Sequence, residues 1–177
     1  MRKLSLSVLL TALIATVGAA IADDGPAVPY LVGEIQITAQ NPVGLVPEGL
    51  RIDGHTSWVI TEGIFTGTTG TSIDYLLIRP DGVGILDIRS YGVDPDGAPI
   101  AMTAKGFLGD PTLMPPIDAW LDPGFEAPDV DIPLHGAAWF QTMAPQYAFV
   151  NHTVFGFSGT LNPATGRIRL IYRSLAE

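Results

Sequence analysis

The sequence contains no cysteine, and after its first three residues it contains a single lysine, Lys105. Without cysteine no disulfide can cross-link the fold, so a packed apolar core must stabilise it. The roughly 155 residues that follow the apolar start of the chain are enough to bury such a core. The absence of cysteine also excludes a lipoprotein anchor and a cysteine nucleophile. Because lysine is so scarce, the remaining arginines are not generic solubilising charges.

Basic residues are outnumbered by acidic ones, nine to eighteen, which gives a net charge of −9 at pH 7. A chain of this charge repels phosphate backbones and anionic lipid surfaces. The composition therefore predicts neither a nucleic-acid partner nor a membrane-surface partner.

The first 22 residues have the composition of an export signal. A basic start at residues 2–3 precedes an apolar run over 4–17, and Ala20 and Ala22 are the small residues that signal peptidase requires. We expect a signal peptide over 1–22, cleavage after Ala22, and a periplasmic or secreted protein. The remaining single domain, 23–177, then has seven basic and eighteen acidic residues and a net charge of −11. The alternative is an uncleaved anchor, because the run approaches the roughly 20 residues that span a bilayer.

Helical periodicity is missing as well, since no window after residue 22 keeps an apolar helical pattern for three turns. Short β-branched and aromatic runs recur instead, separated by turn sequences such as ArgProAspGly at 79–82, AspProAspGly at 94–97 and AsnProAlaThrGly at 162–166. Eight or nine such strands fit a closed antiparallel β-barrel or a sandwich. The predicted strands are 30–39, 49–60, 63–68, 72–79, 83–91, 98–107, 137–143, 147–158 and 166–173.

One long segment, residues 108–136, interrupts the series of strands. It holds six prolines and six acidic residues, yet also large apolar side chains such as Met114, Trp120 and Phe125. A loop of this length in a compact domain is usually functional or disordered. Three interpretations stay open: a loop packed over a barrel end, a solvated flap, or a partner-binding surface.

Two predicted strands carry alternating polar rows. Arg51, Asp53 and His55 alternate with apolar residues in one strand, and Asp87, Arg89 and Tyr91 form a similar row in another. Because alternate residues face the lumen of a barrel, each row either lines the lumen or faces solvent. On the lumen side, the acids at 53, 74 and 87 would pair with the arginines and leave them to receive a carboxylate or carbonyl oxygen.

The two interpretations of these rows predict different energies. In the lumen, loss of Arg51 or Arg89 leaves a buried acid unpaired and costs about 3–5 kcal/mol. On a solvated face, the same loss costs under about 1 kcal/mol. The sequence favours the lumen, with a ligand-binding set listed in full as Arg51, Asp53, His55, Asp74, Asp87, Arg89 and Tyr91.

Motifs for covalent, metal or nucleotide chemistry are lacking. The chain has no Gly-x-Ser-x-Gly, no Ser-x-x-Lys and no Gly-x-Gly-x-x-Gly, and its histidines at 55, 135 and 152 have no metal-ligand spacing. We therefore predict neither a cofactor nor a metal. If catalysis occurs, Asp53 and His55 are the candidates, with His55 as a general base oriented by a carboxylate.

Five segments together resemble one bacterial family, the domain of unknown function 3237. They are ProGluGlyLeuArg at 47–51, IleAspTyrLeuLeuIleArgProAspGly at 73–82, LeuAspIleArg at 86–89, AspGlyAlaProIle at 96–100 and PheGlnThrMetAlaPro at 140–145. The resemblance lies in their order and spacing over roughly residues 30–173. It implies a small antiparallel barrel of lipocalin-like build with a mostly unassigned function. The chain departs from the family pattern at Gln141, where an arginine is usual.

Three functions follow as hypotheses. The first is a monomeric or weakly dimeric binding module whose lumen holds a small, partly apolar ligand, with an anionic group as one option. The second is a cofactor-independent enzyme of isomerase, cyclase or dehydratase type that uses acid–base chemistry in the same lumen. The third is an interaction protein whose acidic loop meets a partner. The sequence leaves open whether the protein is an enzyme.

Overall fold

The computed structural model describes residues 29–175, so the expected signal peptide and its cleavage site lie outside the described residues. Eight strands pair antiparallel in sequence order, and the last pairs with the first, which closes the sheet into a barrel. The predicted closed antiparallel β-barrel is confirmed. The strands are β1 (Tyr30–Val46), β2 (Gly49–Gly63), β3 (Thr69–Ile78), β4 (Gly84–Val93), β5 (Pro99–Leu108), β6 (Ile132–Thr142), β7 (Val154–Asn162) and β8 (Arg167–Ser174).

Side chains alternate between the lumen and the outer surface along each strand. In β4, Leu86, Ile88 and Ser90 are buried, whereas Arg89 and Tyr91 between and beyond them are exposed. This two-residue period is the reason that short alternating runs form strands here rather than helices. The lumen is therefore lined mainly by aliphatic and aromatic side chains.

The three predicted turns are present. Gly82, Gly97 and Gly166 take φ values of 80°, 88° and 67°, and each donates its backbone N–H to the carbonyl of the residue that opens its turn. Glycine adopts this left-handed conformation without a steric penalty. The three turn sequences therefore fix the hairpins between β3 and β4, β4 and β5, and β7 and β8.

The end of the barrel where β2 meets β3 is plugged, and we call it the floor. The predicted strand at 63–68 is wrong, because this segment is a turn in which Phe65 has a φ of 63°. Phe65 is only 2% exposed and packs its ring against Phe140 and Tyr147. Tyr147 belongs to a 3₁₀ helix, Pro145–His152, that replaces the first half of the strand predicted at 147–158.

The opposite end, where β5 meets β6, is the mouth of the barrel. The connection there spans residues 109–131, shorter than the predicted loop because β6 begins at Ile132. It contains a 3₁₀ turn, Ala119–Leu121, and the Trp120 Nε1–H donates to the Pro115 carbonyl oxygen at 3.2 Å. We call residues 109–131 the mouth loop, and its apolar side chains pack over this barrel end.

The arm formed by β1 and β2 extends past the rest of the wall. β1 pairs with β8 only from Tyr30 to Gln36, whereas it pairs with β2 as far as Val46. Among the described residues, the backbone of β1 from 38 to 46 has β2 as its only strand partner. No helix among residues 29–175 is long and apolar enough to cross a bilayer.

Candidate functional site

The barrel lumen encloses a cavity of about 380 Å³ that runs from the floor to the mouth. Pockets for small ligands commonly measure roughly 300–1,000 Å³ and are mostly apolar. Ile60 and Phe140 line it near the floor, and Met114, Trp120 and Phe125 line it at the mouth. Asp122 of the mouth loop both lines the cavity and is exposed, so the cavity reaches solvent at this end.

One side of this apolar cavity carries a group of polar side chains, which we call the lumen polar patch. It consists of Thr56 and Trp58 on β2, Ser72 and Asp74 on β3, and Ser90 on β4. The sheet register sets Thr56, Ser72 and Ser90 side by side across three strands. The hydroxyls of Thr56 and Ser72 form a hydrogen bond with each other.

Two glycines make room for Trp58. Gly70 and Gly92 lie side by side on β3 and β4, and a Cβ atom on either would collide with the six-membered part of the indole. The ring of Trp58 therefore lies over the backbone of both strands, next to Ser90 along β4. Glycine inside a strand often marks such a close approach.

Three polar atoms of the patch have no hydrogen-bond partner. Among the residues described, Trp58 Nε1, Asp74 Oδ1 and Ser90 Oγ are buried and unpartnered. Leaving a buried polar atom unpaired costs about 1–3 kcal/mol, so such atoms are rare unless they have a role. Three of these atoms belong to residues on the wall of one cavity.

The carboxyl group of Asp74 has an unusual proton affinity. Burial raises its pKa from 3.8 to about 6, while the Ser72 hydroxyl and the charge interaction with His55 act in the opposite direction. Across the lumen, burial and the charge of Asp74 both raise the pKa of Tyr172 on β8, so its hydroxyl stays protonated. Asp74 is therefore the titratable group of the lumen near neutral pH.

Six of the seven predicted site residues lie on the outer face. The prediction that their rows line the lumen is wrong, because the alternate apolar residues, such as Leu50, Ile52, Leu86 and Ile88, occupy the lumen instead. Burying these side chains is favourable, whereas burying charges is costly unless each is paired. The six outer residues are Arg51, Asp53, His55, Asp87, Arg89 and Tyr91, and only Asp74 of the predicted set lines the cavity.

The predicted arginine–acid pairs do form, but on the barrel surface. Arg51 Nε donates to Asp53 Oδ1 at 2.9 Å, and the guanidinium lies 5.2 Å from the centre of the Tyr75 ring. Arg89 pairs with Asp87 on its own strand. Neither arginine is placed to meet a ligand inside the lumen.

We expect Arg51→Ala and Arg89→Ala each to lower the free energy of unfolding by less than about 1 kcal/mol, because exposed ion pairs contribute little. Denaturant melts of the two variants at low and high salt measure this effect. A loss of about 3–5 kcal/mol would instead mean that a buried acid had lost its partner.

The patch residues other than Asp74 were not predicted, because they do not belong to rows made wholly of polar residues. The available signal was the reverse one, a polar residue inside an apolar row. Thr56 shares the parity of Leu50, Ile52 and Ile60, and Ser90 shares that of Leu86 and Ile88. Because side chains alternate along a strand, a polar residue in the same row as lumen-facing apolar residues faces the lumen too.

The other histidines lie apart from the patch. His135 is exposed on β6 and its ring lies 5.9 Å from that of Phe107, while His152 ends the 3₁₀ helix at the floor. Within residues 29–175, no three His, Cys, Asp or Glu side chains are grouped so that they could share a metal ion.

The fold and cavity define a small closed antiparallel β-barrel with a mostly apolar lumen that carries a polar patch on β2, β3 and β4. The chain belongs to the family described as "Protein of unknown function (DUF3237)", whose model matches residues 30–174. The resemblance seen in the turn sequences is thereby confirmed. No curated protein matches the chain.

Three solved structures share the fold. A conserved protein of unknown function from Rhodopseudomonas palustris has a TM-score of 0.63 and 18% identity, covering 85% of this chain and 100% of its own. A protein of unknown function from Clostridium acetobutylicum has a TM-score of 0.63 and 20% identity, with coverages of 82% and 97%. A β-barrel-like protein from Acinetobacter baumannii has a TM-score of 0.58 and 18% identity, with coverages of 86% and 98%. At these identities the likeness establishes the fold alone.

Proposed function

We propose that this barrel binds a small, mostly apolar molecule in its lumen, with the polar end of the ligand against the lumen polar patch. The observation that carries this proposal is the convergence of three unpartnered atoms, on Trp58, Asp74 and Ser90, upon one cavity. Apolar walls would supply most of the affinity, and these atoms would set the orientation of the ligand.

The proposal changes the kind of ligand that the sequence suggested. An anionic ligand held by two arginines has no support, because Arg51 and Arg89 are on the outer face. The ligand's polar end must instead donate a hydrogen bond to a buried carboxylate. It would enter through the mouth, where the exposed edge of the cavity lies beside Asp122.

Filling the lumen is expected to block binding. Gly54 of β2 lines the cavity and is the register partner of Asp74 on β3. A Cβ atom at Gly54 would lie at an ordinary contact distance of 3.8 Å from the Asp74 Cβ. We expect Gly54→Leu to weaken binding of the fluorescent apolar probe N-phenyl-1-naphthylamine by at least about tenfold, since the added side chain occupies the ligand's space.

Ala101→Leu is the control, because it places a leucine side chain on the outer face of β5, beside Tyr91. It should bind the probe like the parent protein. Circular dichroism of both variants verifies the barrel. Equal probe affinity in Gly54→Leu and the parent would show that the probe binds elsewhere and would remove support for a lumen site.

A second candidate function, a cofactor-independent enzyme, is favoured by Asp74 itself. A carboxylate whose pKa is raised to about 6, with a free oxygen facing an enclosed lumen, is suited to take a proton from a bound ligand. The catalytic role proposed for Asp53 and His55 therefore passes to Asp74. Turnover that disappears in Asp74→Asn, while ligand binding is kept, would separate this function from simple binding.

We also infer that the protein is exported and acts as a monomer or weak homodimer. The basic and apolar start of the chain, followed by Ala20 and Ala22, supports cleavage after Ala22. Intact mass and gel filtration of the periplasmic fraction test both points. A full-length species in the membrane fraction would count against cleavage.

A further inference from the structure

The charged groups that line the cavity are all acidic. Asp74 lies within the lumen and Asp122 lies at the mouth, and no Lys, Arg or His side chain is among the described residues that line it. The mouth loop adds further acids around the entrance and contains no basic residue. Its acidic residues are Asp110, Asp118, Asp122, Glu126, Asp129 and Asp131. Arg79, which is paired with Asp81, and Arg167 also lie toward this end, but acidic residues outnumber them, and a net negative entrance favours entry of the opposite sign.

Resting on the lumen-binding function proposed above, we propose that the ligand is a protonated amine on an apolar body that also carries an oxygen acceptor. The ammonium group donates to Asp74 Oδ1 and to Ser90 Oγ, and the oxygen accepts from the Trp58 Nε1–H. Each of the three unpartnered atoms of the lumen polar patch then has a partner of the complementary type.

The charge balance of the lumen favours a cationic ligand. A neutral alcohol could satisfy the hydrogen bond to Asp74, but it would leave an ionised carboxylate in an apolar cavity without a counter-charge. An ammonium group supplies both the hydrogen bond and the charge. A carboxylate ligand would add a second negative charge beside Asp74, with no basic side chain on the described wall to offset it.

The oxygen acceptor is required by Trp58. Its indole N–H can only donate, and an ammonium group has no lone pair to accept. Because Gly70 and Gly92 hold the ring against the wall, the donor atom cannot be turned away to another partner without losing this packing. Buried Nε1 therefore selects for an ether, hydroxyl or carbonyl oxygen on the ligand. Ser90, only 8% exposed, is the neighbouring lumen-facing residue to Gly92 on β4.

A matched set of small ligands tests the proposal by displacement of N-phenyl-1-naphthylamine at pH 8. The set is 3-phenoxypropylamine, 3-phenoxypropan-1-ol and 3-phenoxypropanoate, with 4-phenylbutylamine as the amine that lacks the ether oxygen. We expect the phenoxy amine to bind at least about tenfold more tightly than the alcohol, and the acid to bind weakest. Asp74→Asn should abolish the difference between amine and alcohol. Trp58→Phe should abolish the smaller difference between the two amines.

Two results would overturn the proposal: an alcohol that binds as tightly as the amine, or an amine preference that survives in Asp74→Asn. If none of the four compounds displaces a probe whose binding Gly54→Leu blocks, the amine inference fails while lumen binding stands. If Gly54→Leu binds the probe like the parent protein, the lumen proposal itself fails and the amine inference falls with it.

Discussion

Replacing Asp74 with asparagine is expected to stabilise the barrel at pH 8 and to change its stability little at pH 4. Burial raises the pKa of Asp74 to about 6 in the folded protein, against 3.8 for the free side chain. The stability contributed by its proton is thus fully present below pH 3.8 and is lost as the pH rises through 6. The difference between these two pKa values corresponds to a loss of at most about 3 kcal/mol in the free energy of unfolding. Asp74→Asn should restore part of this loss.

Urea melts of the parent and Asp74→Asn at pH 4, 6 and 8 measure this effect as a widening gap between the two proteins. The groups that face Asp74 are Ser72 on its own strand, His55 on β2 and Tyr172 on β8. Asp53→Asn, on the outer face of β2, is the control and should show no such widening gap. A gap of the same size at all three pH values would mean that Asp74 is solvated, and the lumen polar patch would lose its central member.

Replacing Phe65 with alanine is expected to destabilise the protein by about 3–5 kcal/mol, because it removes a fully packed ring from the floor. The Phe65 ring lies 5.6 Å from that of Phe140 and 4.6 Å from that of Tyr147, between the barrel wall and the 3₁₀ helix. Alanine keeps the backbone chemistry at this left-handed position, so the loss reports the ring and not the φ angle.

Thermal and urea melts of Phe65→Ala provide the measurement, with Phe107→Ala as the matched control. Phe107 lies on the outer face of β5 and is 46% exposed, so its loss should cost well under half as much. Similar losses in the two variants would contradict the role of Phe65 as a plug. A selective loss would show that the turn after β2 belongs to the core.

Much of the fold followed from local sequence, because barrels of this kind are built from neighbouring strands. ProAspGly turns fix hairpins, and each hairpin already contains both partners of a ladder. The failures were at 63–68 and 147–153, where apolar residues such as Phe65 and Val150 serve the floor and not a strand. A short apolar run has the same sequence pattern whether it forms a strand or packs at the floor. Only the packed barrel distinguishes the two.

The site was harder to predict because the direction of each row depends on the whole barrel. Arg51 and Asp53 lie in one row of β2 and Leu50 and Ile52 in the other, and the alternation alone is compatible with either row facing the lumen. Apolar burial decides between them at about 25 cal/mol per Å², and the charges therefore face out. Asp74 was on the predicted list through its supposed pairing with the arginines, and it lines the lumen because it shares a row with Ser72 and Leu76.

Because β1 pairs with β8 only as far as Gln36, a slit separates these two strands at the mouth end of the barrel wall. Beyond the last paired residue, Gln36, the wall is held across this slit by Ile37 N–H to the Gly166 carbonyl oxygen, at 2.8 Å, and by the Gln36 side-chain amide to the Thr165 carbonyl oxygen, at 3.0 Å. The ladder between β1 and β2 continues to Val46, with register shifts between Ile37 and Ala39 and between Pro42 and Gly44. An outward swing of the β1–β2 arm beyond Gln36 would break these two hydrogen bonds and no β1–β8 ladder pair, so at this seam the rim is tied by two hydrogen bonds in place of a ladder.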